Sequence, residues 1–419
     1  MDANNSNNTD TGRLRVTVTE DNSYTPLPSA RIEIADAGTP NTVLEVLETD
    51  ENGQTPSLSL PAPPLEYSME PTDNQPYSEY NVKVTAPGFQ EEIVSGIQIF
   101  SGENGQQSIT LLPRTGNADY LYNPIVIGGH TLWEYYPPKI AEPEIKPLAE
   151  SGEIVLSRVV VPETIVVHDG VPSDPTAADY YVPYLDYIKN VASCEIYSTW
   201  PESTIEANIL AIMSFTLNRV YTEWYRNKGY NFTITSSTAY DHKWIYGKTI
   251  YDSISRVADR LYDRFLARPN VKQPILTQYC DGKRVTCPNW MSQWGSKALG
   301  DDGFSAIDIL HYYYGTSLYI NSAEIISGIP ASYPGYDLTI GSSGEPVITI
   351  QEQLNRIAQN YPAIPTLSVD GIYGSQTAEA VRTFQSIFNL PANGIVDYPT
   401  WYKISQIYVG VSKIGENIT

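Results

Sequence analysis

The chain has 419 residues, with 26 basic against 48 acidic side chains and a net charge of −22 at neutral pH. That length implies two or three domains, and so acidic a chain lacks the clustered Lys and Arg of a nucleic-acid binder. The opening residues MDANNSNNTDTG hold no apolar signal core and no apolar run approaches a bilayer span, so neither a secretory leader nor a membrane is expected.

Residues 1–112 hold 17 acidic and 4 basic side chains, a local charge of −13. Such an acidic head either meets a basic partner or serves solubility. From Leu14 to Leu112 short alternating runs follow one another: RLRVTVTE, ARIEIAD, TVLEVLETD, YNVKVTAPGF, IQIF and SITLLP. Turns rich in Asn, Gly and Pro separate them, so 1–112 reads as a small antiparallel β-sandwich without a catalytic cluster. Residues 113–178 are irregular, with Pro137, Pro138, Pro143, Pro147 and Pro162, and read as a strap or linker. His130 and His168 lie there without partners at catalytic spacing and read as structural.

Residues 179–330 read as a mainly α (α+β) domain. A helix from about Pro183 to Glu195 places Tyr184, Ile188, Val191 and Glu195 on one face. A carboxylate on an inward face loses hydration, its pKa rises, and it can serve as a general acid. The alternative is a helix-end Glu that turns out to water. After Trp200-Pro201, Ser203 and Glu206 form a capping box for a helix reaching about Asn227, with Gly229 behind it. Another amphipathic helix is expected over Tyr251 to Leu266, and Ser305 caps a last one. Of the three cysteines, Cys280 and Cys287 flank an Asp281-Gly282 turn, as a disulfide or as two thiols at a cleft. Cys194, Cys280, Cys287 and His242 would satisfy zinc only if the fold assembled them; without CxxC spacing, neither metal nor cofactor is expected.

Two segments carry a family signature. Asp186, Tyr187, Val191, Glu195, Trp200 and Pro201, followed by Met291 to Gly295 of MSQWG, resemble the SpoIID family of peptidoglycan lytic transglycosylases, with Ser296 where the family has Ala. The resemblance covers about Tyr180 to Gly315 and implies that Glu195 is the catalytic acid. It also implies that TSSTAYDH (Thr235 to His242) is a cleft loop, with Asp241 and His242 behind the site. Tyr240, Ser292 and Gln293 are the candidate sugar contacts, Ser292 serving equally well as a helix N-cap.

Residues 340–410 are similar to the three-helix peptidoglycan-binding module of wall hydrolases, on Gln351, Leu354, Asp370, Gly371, Tyr373, Gly374, Thr377, Phe384, Gln385, Gly394 and Trp401 among others. Tyr373, Gln385 and Trp401 are its candidate glycan or peptide contacts, because rings stack on sugars and amides bond their hydroxyls. The whole layout resembles the clostridial germination-specific spore-cortex-lytic enzymes. That implies spore-cortex peptidoglycan as substrate, storage in the spore after synthesis in the mother cell, and a zymogen activated by a Csp-type subtilisin-like protease. The activating cut would fall between about Pro113 and Pro162.

Overall fold

The computed structural model describes residues 10–20, 24–114, 124–146, 158–323, 325–327, 334 and 336–412. The head is built from β1 (Asp10–Glu20), β2 (Thr25–Pro26), β3 (Arg31–Asp36), β4 (Val43–Glu48), β5 (Leu58–Ala62), the short helix α1 (Glu66–Met69), β6 (Ser78–Thr85), β7 (Glu92–Ile99) and β8 (Asn104–Leu111). A ninth strand, β9 (Ile125–Val126), comes from the strap. Period-two burial turns Leu14, Val16 and Val18 of β1 and Val82 and Val84 of β6 into one core between two sheets. The sheets are not purely antiparallel: β1 runs parallel to β8 from Arg13↔Asn104 to Glu20↔Leu111, and β9 runs parallel to β7. Strand β4 is exposed on almost every residue, the edge of its sheet.

Where the chain enters the second domain differs from the sequence reading. Val160–Pro162 and Thr164–His168 are core strands, the latter pairing with Asp179–Pro183 and with Ile234–Thr235. Their branched side chains Val161, Ile165 and Val167 lie in the largest hydrophobic cluster. The strap as read from its prolines therefore ends near residue 158. His130 and His168 are buried and bonded, His130 to the Ile196 carbonyl and His168 to Asp179 at 2.8 Å.

At the centre lies α3 (Glu202–Tyr221), buried on nearly all sides, with α2 (Tyr184–Glu195), α4 (Asp252–Leu261), α5 (Gln293–Asp301) and α6 (Ala306–Tyr314) around it. Two helices are shorter than their periodicity suggests. Pro201, not Ser203, occupies the N-cap of α3, and the helix stops at Tyr221, where Glu223 turns to φ +46° and Trp224 leaves the helical path. Helix α4 ends at Leu261 because Arg264–Ala267 becomes a strand paired with Tyr319–Ser322. Ser305 does cap α6, accepting the Asp308 N–H.

The head and this domain share a sheet. Ile250–Tyr251 pairs antiparallel with β8, and Tyr77 and Phe100 of the head belong to the large central cluster. The buried Lys248 ammonium donates to Gln98 Oε1 at 2.5 Å, and the Tyr251 hydroxyl donates to the Gln98 carbonyl. The C-terminal module is three helices, α7 (Glu345–Ala358), α8 (Ser375–Ile387) and α9 (Tyr398–Ser412), around its own core of Leu354, Val381, Phe384 and Trp401. It touches both neighbours: Tyr361 donates to the Tyr24 carbonyl of the head, and Gln406 donates to Asp186 on α2. None of the described helices is long and apolar enough to cross a membrane.

Candidate active site

Glu195 is the last residue of α2 and only 3% exposed. Its Oε1 accepts the Lys243 backbone N–H at 2.6 Å. Burial pushes its pKa up, while Lys139, Tyr279 and the Lys243 amide pull the other way. The negative end of the α2 dipole adds a field that disfavours a carboxylate. The result is a carboxyl biased toward its protonated form by burial and still reached by donors that favour ionisation. That combination suits a group which must give up a proton and then take one.

The cavity at Glu195 is floored by Tyr279 and Gln293 and walled by Asp281, Arg284 and Val285. Its roof is the strap: Thr131 and Glu134 to Lys139 line it, and only about 60 Å³ is left, room for a handful of waters. Of its three carboxylates, Glu134 arrives on the strap. Asp281 accepts the amides of Lys283, Arg284 and Val285 and so shapes its own loop. Glu195 alone is both buried and at the floor.

Lys139 enters deepest. Its ammonium donates to the Asp241 backbone carbonyl, stands 4.8 Å from the centre of the Tyr279 ring, and interacts with the Glu195 charge. Burial lowers its pKa, against the pull of Glu195 and Asp241. The strap then runs along 273–278. Ile140, Glu142 and Lys146 carry no strand ladder there; side-chain amides take its place, Gln278 bonding both Glu142 N–H and the Ile140 carbonyl and Gln273 bracketing Lys146. Prolines among these residues remove backbone donors, so amide side chains complete the pairing. Glu142 also binds the Arg219 guanidinium at 2.6 Å.

The residues singled out from sequence separate into groups. Gln293 is at the floor, and its Nε2 donates to the Glu195 carbonyl at 2.9 Å, fixing the helix end that carries the acid. Ser292 is the N-cap of α5, accepting the Gly295 N–H at 2.9 Å. Gly282 (φ +76°) packs against it so closely that a Cβ there would meet the Ser292 hydroxyl at 1.8 Å. Gly295 of MSQWG is needed for the same kind of reason: a Cβ would strike the Tyr313 hydroxyl at 2.1 Å. Asp241 is fully buried and saturated by Arg219 (2.7 Å), the Tyr225 hydroxyl (2.6 Å) and both the N–H and the hydroxyl of Thr235. His242 is also fully buried, bonded to the Tyr187 hydroxyl at 2.9 Å and stacked on Tyr279; burial holds its pKa far below the usual imidazole value, so it is neutral. Tyr240 is half-buried, its carbonyl bonded to Arg219, and it does not line the cavity.

Sequence reading missed Tyr279 and Lys139. The Tyr279 hydroxyl is buried without a partner in regular hydrogen-bond geometry, yet close enough to Glu195 that each shifts the other's titration. Neither residue stands in a periodic pattern; Tyr279 precedes a turn and Lys139 follows two prolines, so only the tertiary fold brings them to Glu195. Cys280 and Cys287 form a disulfide that closes the cavity loop, and Cys194 is a buried free thiol. Among the described residues no group of three or more His, Cys, Asp or Glu is placed to hold a metal.

In the C-terminal module the proposed contacts point inward. Tyr373 and Gln385 are fully buried and Trp401 is 1% exposed. Tyr373 donates to the Gly394 carbonyl, and Gln385 donates to Asn393, the Ile395 carbonyl and Thr400 while accepting the Gly394 N–H. They hold the turns of the fold together and offer no face to a glycan.

Residues 343–404 match the family described as putative peptidoglycan binding domain. The chain is also similar to the SleB N-terminal domain at 32% identity, covering 18% of this chain and 97% of that one, TM-score 0.16. Other solved structures are more distant: the Bacillus anthracis TIE protein at 16% identity covers 25% of this chain and 17% of that one, TM-score 0.18. Catechol 1,2-dioxygenase from Acinetobacter sp. ADP1 at 17% identity covers 30% and 61%, TM-score 0.20. No curated protein matches the chain. The match to a putative peptidoglycan binding domain supports peptidoglycan as a partner of this chain.

Proposed function

We propose that the protein is a lytic transglycosylase of spore-cortex peptidoglycan, similar in layout to SleC, in a form whose cleft is closed by its own strap. The observation that carries this reading is Glu195: one buried carboxyl with a raised pKa at the floor of a cavity, held by a backbone amide. Hydrolysing glycosidases need two carboxylates, one as acid and one as base or nucleophile. A transglycosylase needs one. Protonated Glu195 donates to the oxygen linking N-acetylmuramic acid to N-acetylglucosamine. The carboxylate so formed takes the proton of the muramic C6 hydroxyl as that oxygen attacks C1, closing a 1,6-anhydro ring. The nucleophile is already part of the substrate, which replaces a second molecule by proximity. In this reading Tyr279 and Gln293 position the carboxyl, and the disulfide loop forms one rim.

The zymogen reading rests on the roof. Tyr135 to Lys139 line the cavity beside Glu195 and would have to move for a glycan strand to occupy it. An activating protease would cut between about Pro113 and Pro162; parts of that window, 115–123 and 147–157, lie outside the described residues. The shared sheet and the Arg219–Glu142 pair mean that a cut alone does not free the head: these contacts must also break.

The test is mass spectrometry of soluble products from decoated spore cortex treated with strap-cleaved protein and with its Glu195→Gln variant. Anhydro-muramic ends that vanish in the variant are expected. Free stem peptides without anhydro ends would make the protein an amidase, and no release from either form would leave it a wall-binding protein.

A further inference from the structure

With Tyr373, Gln385 and Trp401 turned inward, what the C-terminal module presents to the catalytic domain is the α9 face carrying Tyr398, Tyr402, Lys403 and Gln406. That face meets the first turn of α2 and the end of α4, and a cavity of about 120 Å³ remains between them. It is twice the volume left at Glu195 and lies at the opposite end of α2, roughly 16 Å away along the helix at 1.5 Å per residue.

The lining is unusual for a domain seam. Tyr184 is 3% exposed and its hydroxyl has no hydrogen-bond partner, a costly state for a buried donor. Asp259 is 3% exposed and is held by Lys189 Nζ at 2.6 Å. Asp186 faces Lys403 at 3.7 Å and accepts from Gln406 at 3.2 Å. Glu163 adds a third acid at the rim. The buried Lys189–Asp259 pair contributes little to stability once its desolvation is counted, and the partly exposed Asp186–Lys403 pair is screened by water. Two acid–base pairs, Lys189–Asp259 within the catalytic domain and Asp186–Lys403 across the seam, with the spare Tyr184 phenol beside them, do fit one ligand chemistry: a group with an ammonium and a carboxylate on the same carbon. The ammonium would find Asp259 and Asp186, the carboxylate Lys189, Lys403 and the Tyr184 hydroxyl. The rings of Tyr262, Tyr398 and Tyr402 would pack its methylenes.

We propose that this interdomain cavity binds the zwitterionic end of a diamino acid, supplied by a peptidoglycan stem peptide. The site rests on the wall-directed reading only for that source. It would let the module recognise peptide while the catalytic domain engages glycan at the other end of the same helix.

The test is calorimetric titration of the full chain with three probes: free meso-diaminopimelate, the tripeptide L-Ala-γ-D-Glu-meso-diaminopimelate, and the same tripeptide ending in L-Lys, which keeps the ammonium but lacks the far carboxylate. The diaminopimelate tripeptide is expected to bind saturably and the lysine tripeptide at least tenfold more weakly. Lys403→Met should weaken the first at least tenfold, and Tyr184→Phe, which removes only the spare hydroxyl, severalfold, with melting temperatures unchanged. Equal binding of both tripeptides, no saturable binding, or variants that bind like the parent would overturn the site. Binding of the free diamino acid without the tripeptide would overturn the stem-peptide source. Product release from cortex, measured on the same preparations, separates the two claims. Release without tripeptide binding sinks only this site; binding without release sinks only the transglycosylase reading.

Discussion

Two buried carboxylates in the central domain, Asp241 and Glu195, are treated in opposite ways by their surroundings. Asp241 is met by a guanidinium, a phenol, a backbone amide and a hydroxyl, all within 2.9 Å. Glu195 has one backbone amide in regular geometry and otherwise sees a cavity, a phenol and an ammonium that belongs to the strap. A saturated carboxylate has nothing left to exchange with a substrate, and its removal leaves the buried Arg219 with Glu142 as its remaining carboxylate partner. An undersatisfied one costs stability and keeps its proton mobile. Burial alone does not separate the two carboxylates; the number of permanent partners does.

This contrast can be broken by exchange of single atoms. Glu195→Gln should lower glycan cleavage by about 10²–10⁴-fold, on the order of 3–5 kcal/mol of barrier, as loss of a general acid does. Its melting temperature should hardly move at neutral pH. A carboxyl with a raised folded pKa contributes stability below its unfolded value and loses it as pH rises through the folded one, so a neutral amide forfeits nothing there. A large stability loss would make Glu195 structural and remove the difference from Asp241. Asp241→Asn should do the reverse, costing about 3–5 kcal/mol of folding stability as a broken buried pair, read as a shifted denaturant midpoint. If it unfolds no more easily than the parent, the saturated network is not what holds the loop.

A truncation after Ser342 should reduce sacculus binding by roughly 10²-fold, the loss of one arm of a two-site attachment, while cleavage of soluble fragments persists; unchanged sacculus binding would remove the tether. The finest test concerns pH. The acid form of Glu195 must be populated, so the rate falls as pH rises through its raised pKa. Tyr279 and Lys139 both favour the ionised form. Tyr279→Phe should therefore move the falling limb to higher pH in strap-cleaved protein. Lys139→Met should raise the Glu195 pKa only in the intact chain, followed by carboxyl NMR, and leave the cleaved enzyme unaltered. A Lys139 effect that survives strap release would mean that the strap does not leave the cleft.

Legibility followed the range of the interactions. The head strands, α2 ending at Glu195 and the Ser305 cap each depend on neighbours within a few residues, and the sequence pattern shows them. The ends of α3 and α4 did not follow periodicity, because Arg264–Ala267 prefers a partner more than fifty residues away, Tyr319–Ser322, to another helical turn. Chemical type alone makes Tyr373, Gln385 and Trp401 candidate contacts, and the structure turns them in: in a module this small, large side chains and amides are needed for the core and the turns.

What the sequence determined by itself was the order of parts and the place of one inward carboxylate at the end of an apolar helical face, since period and punctuation are local properties of the chain. What only the tertiary structure decided was the company that carboxylate keeps: Lys139 from 56 residues before it and Tyr279 from 84 residues after it. How the carboxylate titrates and whether it is roofed over depend on these distant side chains, and no spacing in the chain encodes a contact made across the core.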